Sequence, residues 1–258
     1  MTVELSLAAL DTLWEDLRLG RKPFPLEVRS LGDTLDDRAR IRAAVYADLE
    51  RRGLVRDGHL DDELAEDLRL LAEPAVSFDL VALLDMGDAE AVKAVAAAKG
   101  QLGVLAVQGK LTITLRRTRD TTAAGALVEL LPATRAAVGS SITQPAAALG
   151  TDLPRYSRAR PGGVMRTAVP RTAADSKLRA LAAIMDKPVR RAGQLGVTLL
   201  DDEGKRRRPP GIAWFDTDDG RYATTLARGA DGDDWVTLWP ADNARLVHRL
   251  GESVTQSG

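Results

Sequence analysis

Three aspartates in the stretch WFDTDDGRY come closest, by type and spacing, to a metal-binding loop. Asp216, Asp218 and Asp219 precede Gly220. A calcium loop of the helix-loop-helix kind needs oxygen ligands at its first, third and fifth positions, glycine at the sixth and glutamate at the twelfth. Counted from Asp216, the fifth position is glycine and the twelfth is Ala227. No metal site is therefore predicted, and the pattern favours a hairpin turn at Asp219-Gly220 whose acids face water.

Side chains that usually supply nucleophiles and general bases are scarce. The chain has no cysteine, which removes disulfides, thiolate metal ligands and cysteine nucleophiles. Its two histidines are His59, in a turn before a helix, and His248, on an amphipathic helix. A general base must meet a nucleophile in a cleft, and neither setting favours that role. We expect no enzyme activity and no catalytic residue, and a hydrolase with a histidine in a buried pocket is the alternative.

Phosphate-binding patterns are also missing. The chain has no GxxxxGK[ST], and its glycine clusters lack the strand-glycine-helix context that aims backbone N–H groups at a phosphate. The basic run KRRRPP, Lys205 to Pro210, follows Asp201, Asp202 and Glu203, which partly cancel its field. A solvated hairpin loop is the favoured interpretation. The alternative is a nucleic-acid-binding regulator that uses this run and RYSRARPGG, residues 155–163.

The composition is that of a soluble globular protein. Of 258 residues, 45% are hydrophobic and 28% charged, which argues against wholesale disorder. With 36 basic and 37 acidic side chains the net charge is −1, so no global field attracts nucleic acid or anionic membrane. No apolar run approaches the roughly 18 to 20 residues of a membrane span, and the first residues do not resemble a signal peptide. We expect a cytoplasmic protein without cofactors or membrane insertion.

Hydrophobic spacing divides the chain into helices and strands. Helices are predicted after the capping residues Ser6 and Thr34 and from near Asp61, until Pro74 ends the third. Alternating patterns then predict a four-stranded meander, including KLTITLRR, where Leu111, Ile113 and Leu115 share a face. A short helix, TTAAGALVELL, completes this half.

The second half repeats this order of elements. A helix over Ala173 to Met185 ends before Pro188, and a second meander and a final helix follow. An old internal duplication has this appearance. The predicted fold is α+β, with two pseudo-symmetric halves, each an antiparallel β-meander flanked by helices, around a central sheet. The halves are residues 1–131 and 173–258, joined by an irregular connector at 132–172 within one integrated domain.

Several stretches, taken together in order and spacing, resemble the EspG family of proteins associated with ESX, or type VII, secretion in actinobacteria. The resemblance runs from end to end of the chain, which makes it more specific than any single motif. The stretches are VELSLAALDTLWEDLRLGRKPFPLEV, DDRARIRAAVYADLERRGL, RRAGQLGVTL, WFDTDDGRYATTL and DWVTLWPADNARLVHRL.

This resemblance implies a cytosolic chaperone that binds the helical tip of PE–PPE substrates and keeps them soluble for export. It also implies two related α/β halves and a holding role without ATP or metal. By position, the partner surface falls on the turn LLDMGD and on the helix before Pro188. The implied partner-binding residues are Leu83, Leu84, Asp85, Met86, Gly87, Asp88, Leu178, Leu181 and Met185. Core packing competes for the three helical residues.

The partner itself stays open at this point. The turn DMGDAE is shorter than the loop that better-known EspG proteins can carry. A related helical-hairpin protein is therefore an alternative to a PE–PPE pair, and homodimerisation is undecided.

Overall fold

One large antiparallel sheet dominates the computed structural model, which describes residues 2–88, 90–149, 173–200, 203–230 and 232–256. In chain order, the strands are β1 (Thr2–Ser6), β2 (Val55–Arg56), β3 (His59–Leu60), β4 (Val76–Leu83), β5 (Val92–Lys99), β6 (Leu102–Gln108), β7 (Thr112–Arg119), β8 (Ile142–Pro145), β9 (Arg191–Leu200), β10 (Arg206–Arg207), β11 (Ile212–Thr217), β12 (Gly220–Arg228) and β13 (Asp234–Pro240). The helices are α1 (Leu7–Asp16), α2 (Leu35–Arg51), α3 (Asp62–Ala72), α4 (Ala123–Val128), α5 (Ala173–Met185) and α6 (Asn243–Thr255).

The sheet order joins two meanders through β4 and β9. It reads β1-β7-β6-β5-β4-β9-β11-β12-β13-β8, with β10 paired to β9. At the junction, Val76 lies opposite Leu199 and Leu83 lies opposite Ala192. The prediction of an α+β fold with a large antiparallel sheet is confirmed. Both halves also have an edge strand, a helical segment, a four-stranded meander and a final helix, although the first helical segment has three helices and the β2–β3 hairpin where the second has α5. The ancient duplication behind that order stays a prediction.

Alternation along the strands places two hydrophobic layers on the two faces of the sheet. We call the face covered by α1, α2 and α3 the first face, and the face covered by α4 and α6 the second. On β5, Val95 and Ala97 pack in the first layer, whereas Ala94 and Ala96 pack in the second. A third cluster, which includes Leu181 of α5, lies on the first face of the C-terminal half.

Two predicted helix starts have the caps that the sequence indicates. The Ala9 backbone N–H donates to Ser6 Oγ at 3.0 Å, and the Asp37 N–H donates to Thr34 Oγ1 at 3.1 Å. These contacts satisfy backbone donors that the first helical turn leaves without partners. The five residues ending at Ser6 form β1, a strand at the sheet edge that the helical pattern did not predict.

Two other details differ from the sequence prediction. Leu111 precedes β7 in a turn and is exposed, whereas Ile113 and Leu115 are buried, so the predicted three-residue face was wrong at Leu111. The connector predicted as irregular contains β8, which pairs with β13 at the sheet edge. Four residues are too few to show an alternating pattern, and β13 supplies their hydrogen-bond partners. Among the described helices, none combines the length and apolar character needed to cross a bilayer.

Candidate functional site

The acidic stretch WFDTDDGRY forms the β11–β12 hairpin. The predicted hairpin is present, but Thr217 pairs with Gly220, so the two turn residues are Asp218 and Asp219 and Gly220 begins β12. Gly220 has φ of 122°, and a Cβ there would lie 2.6 Å from the Arg135 carbonyl oxygen. Glycine is thus required both by its backbone conformation and by the close approach of another segment. Within the described ranges, no group of three or more Asp, Glu or His side chains is arranged to hold a metal.

The three aspartates of this hairpin have different partners. Asp216 is buried and accepts two hydrogen bonds from Arg221, from Nε at 2.7 Å and from Nη2 at 3.0 Å. The expectation that all three acids face water is therefore wrong for Asp216. The reason is the strand pleat, which turns Asp216 towards the second face beside Trp214. Asp218 and Asp219 lie at the tip and pair with Arg190 and Lys187.

These ion pairs attach the hairpin to the link between α5 and β9. Lys187 donates a hydrogen bond to the Asp219 carboxylate, which raises the pKa of Lys187, and Arg190 donates one to the Asp218 carboxylate, which raises the pKa of Arg190. The Arg190 N–H also donates to the Asp216 carbonyl at 2.8 Å. The C-terminal end of α5 is thereby held at the end of the sheet where β9 begins.

The turn predicted to bind the partner leaves the sheet at this same end. Leu83 is the last residue of β4 and pairs with Ala192, and the Arg191 Nε donates to the Leu84 carbonyl at 3.1 Å. The Asp85 carboxylate accepts from the Gly87 N–H at 2.8 Å, which closes a tight turn. Met86, at the tip of this turn, is 48% exposed.

The three predicted partner-binding residues of α5 differ in their exposure. Met185 is 49% exposed at the end of α5, close in the chain to the link that pairs with the hairpin. Leu181 is buried and packs with Tyr222 and Leu238. Its predicted partner contact is therefore not available in this conformation, because the side chain fills the core under α5. Leu178 belongs to α5, but its side chain lies outside the described residues.

Between the helices of the first face lies a strip of partly exposed sheet. We define the central strip as Val81 and Leu83 of β4 with Ala192 and Gln194 of β9. Gln194 is exposed, and the other three are half-buried. The helices on this face pack to either side, since α3 contacts β5 and β6 while α5 contacts β8. The strip leads directly to the turn that carries Met86.

Comparison with known families decides which family the chain represents. A model described as the EspG family matches residues 6–252. The chain belongs to the EspG family. The resemblance drawn from the order and spacing of its sequence stretches is confirmed.

A solved EspG structure has the same fold. The chain is similar to EspG5 of Mycobacterium tuberculosis, a type VII secretion system chaperone whose structure was determined in complex with a PE25-PPE41 dimer. The TM-score is 0.69 at 13% identity, and the match covers 98% of this chain and 96% of that chain. An identity this low establishes the shared EspG fold alone. No curated protein sequence matches the chain.

The basic run of this EspG protein is partly engaged in internal contacts. Arg208 donates to both oxygens of the buried Asp79 carboxylate, at 2.6 and 2.8 Å, so it is not an unpaired charge on a loop. Arg206 and Arg207 form β10 against β9. Residues 155–163, the other predicted nucleic-acid contact, lie outside the described residues. The nucleic-acid alternative stays a prediction. The pairing of Arg208 with Asp79 makes this arginine less suited to contact a phosphate.

Both histidines of this EspG chain are exposed. His59 lies in β3, and His248 lies on α6 at a cleft of about 520 Å³ between that helix and β12 and β13. The His248 Nδ1 is 3.8 Å from Glu252, whose pKa is lowered chiefly by a hydrogen bond from Arg249. Neither histidine has the buried pocket that the hydrolase alternative requires.

Proposed function

We propose that this protein is a cytosolic, non-enzymatic chaperone that binds the helical tip of a PE–PPE-like substrate pair and keeps it soluble for type VII secretion. One observation carries the proposal: the chain shares its fold, over 98% of its length, with EspG5, a chaperone solved with a PE25-PPE41 dimer. Membership of the EspG family over residues 6–252 supports it.

The proposed substrate-binding surface is the central strip together with the turn Leu83 to Asp88 and Met185. Met86 follows β4, and Met185 is the last residue of α5, which is attached to the same end of the sheet through Lys187 and Arg190. Each methionine is about half exposed. Methionine suits such a surface because its unbranched, polarizable side chain adapts to an irregular apolar partner. Leu181 would act indirectly, by holding α5 in place through its core packing.

Capture of an exposed apolar tip would follow from the hydrophobic effect. Burial of apolar surface contributes about 25 cal/mol per Å², and a standard interface buries about 800 Å² on each partner. Much of that gain offsets the lost translational and rotational freedom of the two molecules. A chaperone of this kind holds its substrate by equilibrium binding and needs no chemical step.

Coexpression with PE–PPE-like pairs from the same secretion locus tests this function. Size-exclusion chromatography with mass determination should show a discrete complex of one chaperone with one pair. The pair should be soluble with the chaperone and aggregate without it. A chaperone that elutes alone, while every such pair stays insoluble, would contradict the proposal. A complex with a single-chain helical hairpin would retain the chaperone function and change the substrate class.

A further inference from the structure

An exposed aromatic ring and an arginine from distant parts of the chain meet beside the central strip. The Arg208 guanidinium carbon lies 5.4 Å from the centre of the Phe24 ring. Phe24 is 61% exposed. A cation above an aromatic ring is an attractive arrangement, and it restricts both side chains.

The segment that carries Phe24 is held firmly on the first face. Leu26 is buried in the first hydrophobic layer. The backbone of Glu27 accepts from and donates to the Gln108 side chain, at 3.0 and 2.7 Å. The Glu27 carboxylate also pairs with Lys93 at 2.6 Å. The exposed ring of Phe24 therefore projects from an ordered segment.

Arg208 is fixed by contacts with the strands β4 and β9. Besides its two bonds to Asp79, it donates to Thr198 Oγ1 at 3.0 Å. It lies over Gly196, where a Cβ would be 2.3 Å from the guanidinium and 2.8 Å from the Asp79 carboxylate. Glycine at this position in β9 makes room for the ion pair. The hydrogen bond to Asp79 also raises the pKa of Arg208, so the arginine stays charged and paired.

We propose that Phe24, held by Arg208, is an anchor residue for the substrate at one end of the central strip, and that it receives an apolar side chain of the substrate's helical tip. This inference rests on the proposed chaperone function and deepens it by assigning a specific binding position. Strand register supports the placement, because Asp79, Val81 and Leu83 point to the same face of β4.

The chemistry of the site favours an apolar occupant. Two positive groups beside the strip already have carboxylate partners, Arg208 with Asp79 and Lys93 with Glu27. An acidic substrate group would gain little from charges that are already neutralised. At about 3.3 Å per strand residue, the distance from Asp79 to Leu83 is about 13 Å, which is enough for the end of one helix about 10 Å in diameter.

Ordered aromatic residues are frequent among the few positions that dominate binding energy at protein interfaces. Phe24 would meet that description because little conformational freedom is left for it to lose on binding. The ring then has two roles, shielding the Arg208–Asp79 pair from water in the free protein and contacting the substrate in the complex.

Binding of the PE–PPE-like pair that copurifies with the wild-type protein, measured by calorimetry, tests the anchor. Phe24→Ala should weaken the affinity by at least about 30-fold, the size of a strong interface position. The matched control is Leu35→Ala, which removes a side chain that is 87% exposed on α2 and should change the affinity less than about twofold. Both variants should keep the wild-type melting temperature within a few degrees, because both side chains are exposed.

Arg208→Lys provides a second, independent variant. Lysine keeps the positive charge but cannot form two parallel bonds to Asp79 while stacking on Phe24, so the affinity should fall by at least about threefold. Its melting temperature, and that of Phe24→Leu, show whether a loss reflects binding or folding. Phe24→Leu retains an apolar contact and should bind better than Phe24→Ala.

The outcomes separate this inference from the proposed function. If the wild-type protein binds the pair and Phe24→Ala binds equally well, the anchor is wrong and the chaperone function stands. If the wild-type protein binds no such pair, the chaperone function fails and the anchor fails with it. An affinity that falls steeply as salt is raised would overturn the apolar occupant, because charge pairing would then dominate recognition.

Discussion

Arg221 binds Asp216 through two hydrogen bonds, and both side chains are almost completely shielded from solvent, with exposures of 0% and 2%. The guanidinium also lies 4.6 Å from the Trp214 ring and bonds to Asn243 and to the Pro132 carbonyl. Arg221 thus connects β11, β12, α6 and the segment after α4. A charge in this position is stable only because each of its groups has a partner.

Replacement of Arg221 by alanine should strongly destabilise the protein. The change leaves the Asp216 carboxylate buried without its main partner, which typically costs about 3–5 kcal/mol. Urea denaturation measures the free energy of unfolding. Arg51→Ala is the control, since Arg51 pairs with Asp48 on the exposed side of α2 and should cost less than about 1 kcal/mol. Equal losses for the two variants would contradict the structural role of Arg221.

Two glycines should respond in opposite directions to alanine. Gly220→Ala places a Cβ against the Arg135 carbonyl at positive φ and should cost at least about 1 kcal/mol. Gly125→Ala, inside α4 with no atom within 4 Å of the new Cβ, should instead stabilise the helix by about 0.5–1 kcal/mol. For a protein of this size, each kcal/mol shifts the melting temperature by about 2–4 °C. A melting temperature for Gly220→Ala at or above that of the wild type would refute the close approach.

Asp67 should make a pH-dependent contribution to stability. It is buried on α3 beside Arg117, whose Nε lies 2.7 Å away, and burial raises the pKa of its carboxyl despite that neighbour. A pKa that is higher in the folded state means that Asp67 contributes stability at low pH and loses it as pH rises through the folded pKa. The free energy of unfolding of the wild type, measured relative to that of Asp67→Asn, should therefore increase as the pH is lowered from about 7 to about 4.

Glu252 supplies a comparison of opposite sign. The hydrogen bond from Arg249 lowers the pKa of Glu252, so its contribution is present at neutral pH and is lost as pH falls through the folded pKa. The advantage of the wild type over Glu252→Gln should shrink on acidification. Urea denaturation of both variants over the same pH range checks the two trends. Trends of the same sign would show that one of these two pKa directions is wrong.

Met86 and Met185 should contribute to substrate binding but little to folding. Each side chain is about half exposed, so alanine at either position should leave the melting temperature nearly unchanged. The affinity for a copurifying PE–PPE-like pair should fall by about tenfold for either variant, which corresponds to about 1.4 kcal/mol of lost contact. Leu102→Ala is the control, because Leu102 is similarly exposed at the start of β6, at the opposite end of the sheet. Equal affinities for all three variants would exclude this end of the sheet from the interface.

Local elements were largely predictable because their signals depend on residues close together in the chain. Ser6 and Thr34 cap helices as predicted, since capping needs only the next two or three backbone N–H groups. The hairpin turn forms one residue earlier than predicted, with Asp218 and Asp219 at its tip and Gly220 beginning β12 at a positive φ that favours glycine. The strand β8 was missed because four residues carry too little pattern and depend on β13 for pairing.

The candidate site was only partly predictable. The turn around Met86 and the end of α5 were identified by resemblance to the EspG family, and whether they contact a substrate stays a prediction. Phe24 was missed, because nothing in its own neighbourhood in the sequence distinguishes an exposed ring held by Arg208 from an ordinary loop residue. The inward direction of Leu181 also depended on Tyr222 and Leu238, which are distant in the chain.

By itself, the amino-acid sequence determined the two meanders, their flanking helices, the hairpin turn and the EspG family, because these follow from short-range geometry and from the order of residues. Only the tertiary structure decided the pairing of β4 with β9, the burial of Asp216 by Arg221, and the placement of Arg208 on Asp79, 129 residues away. A charged side chain is compatible with an exposed turn and with a buried ion pair. Which one occurs depends on the partner that folding brings within hydrogen-bonding distance.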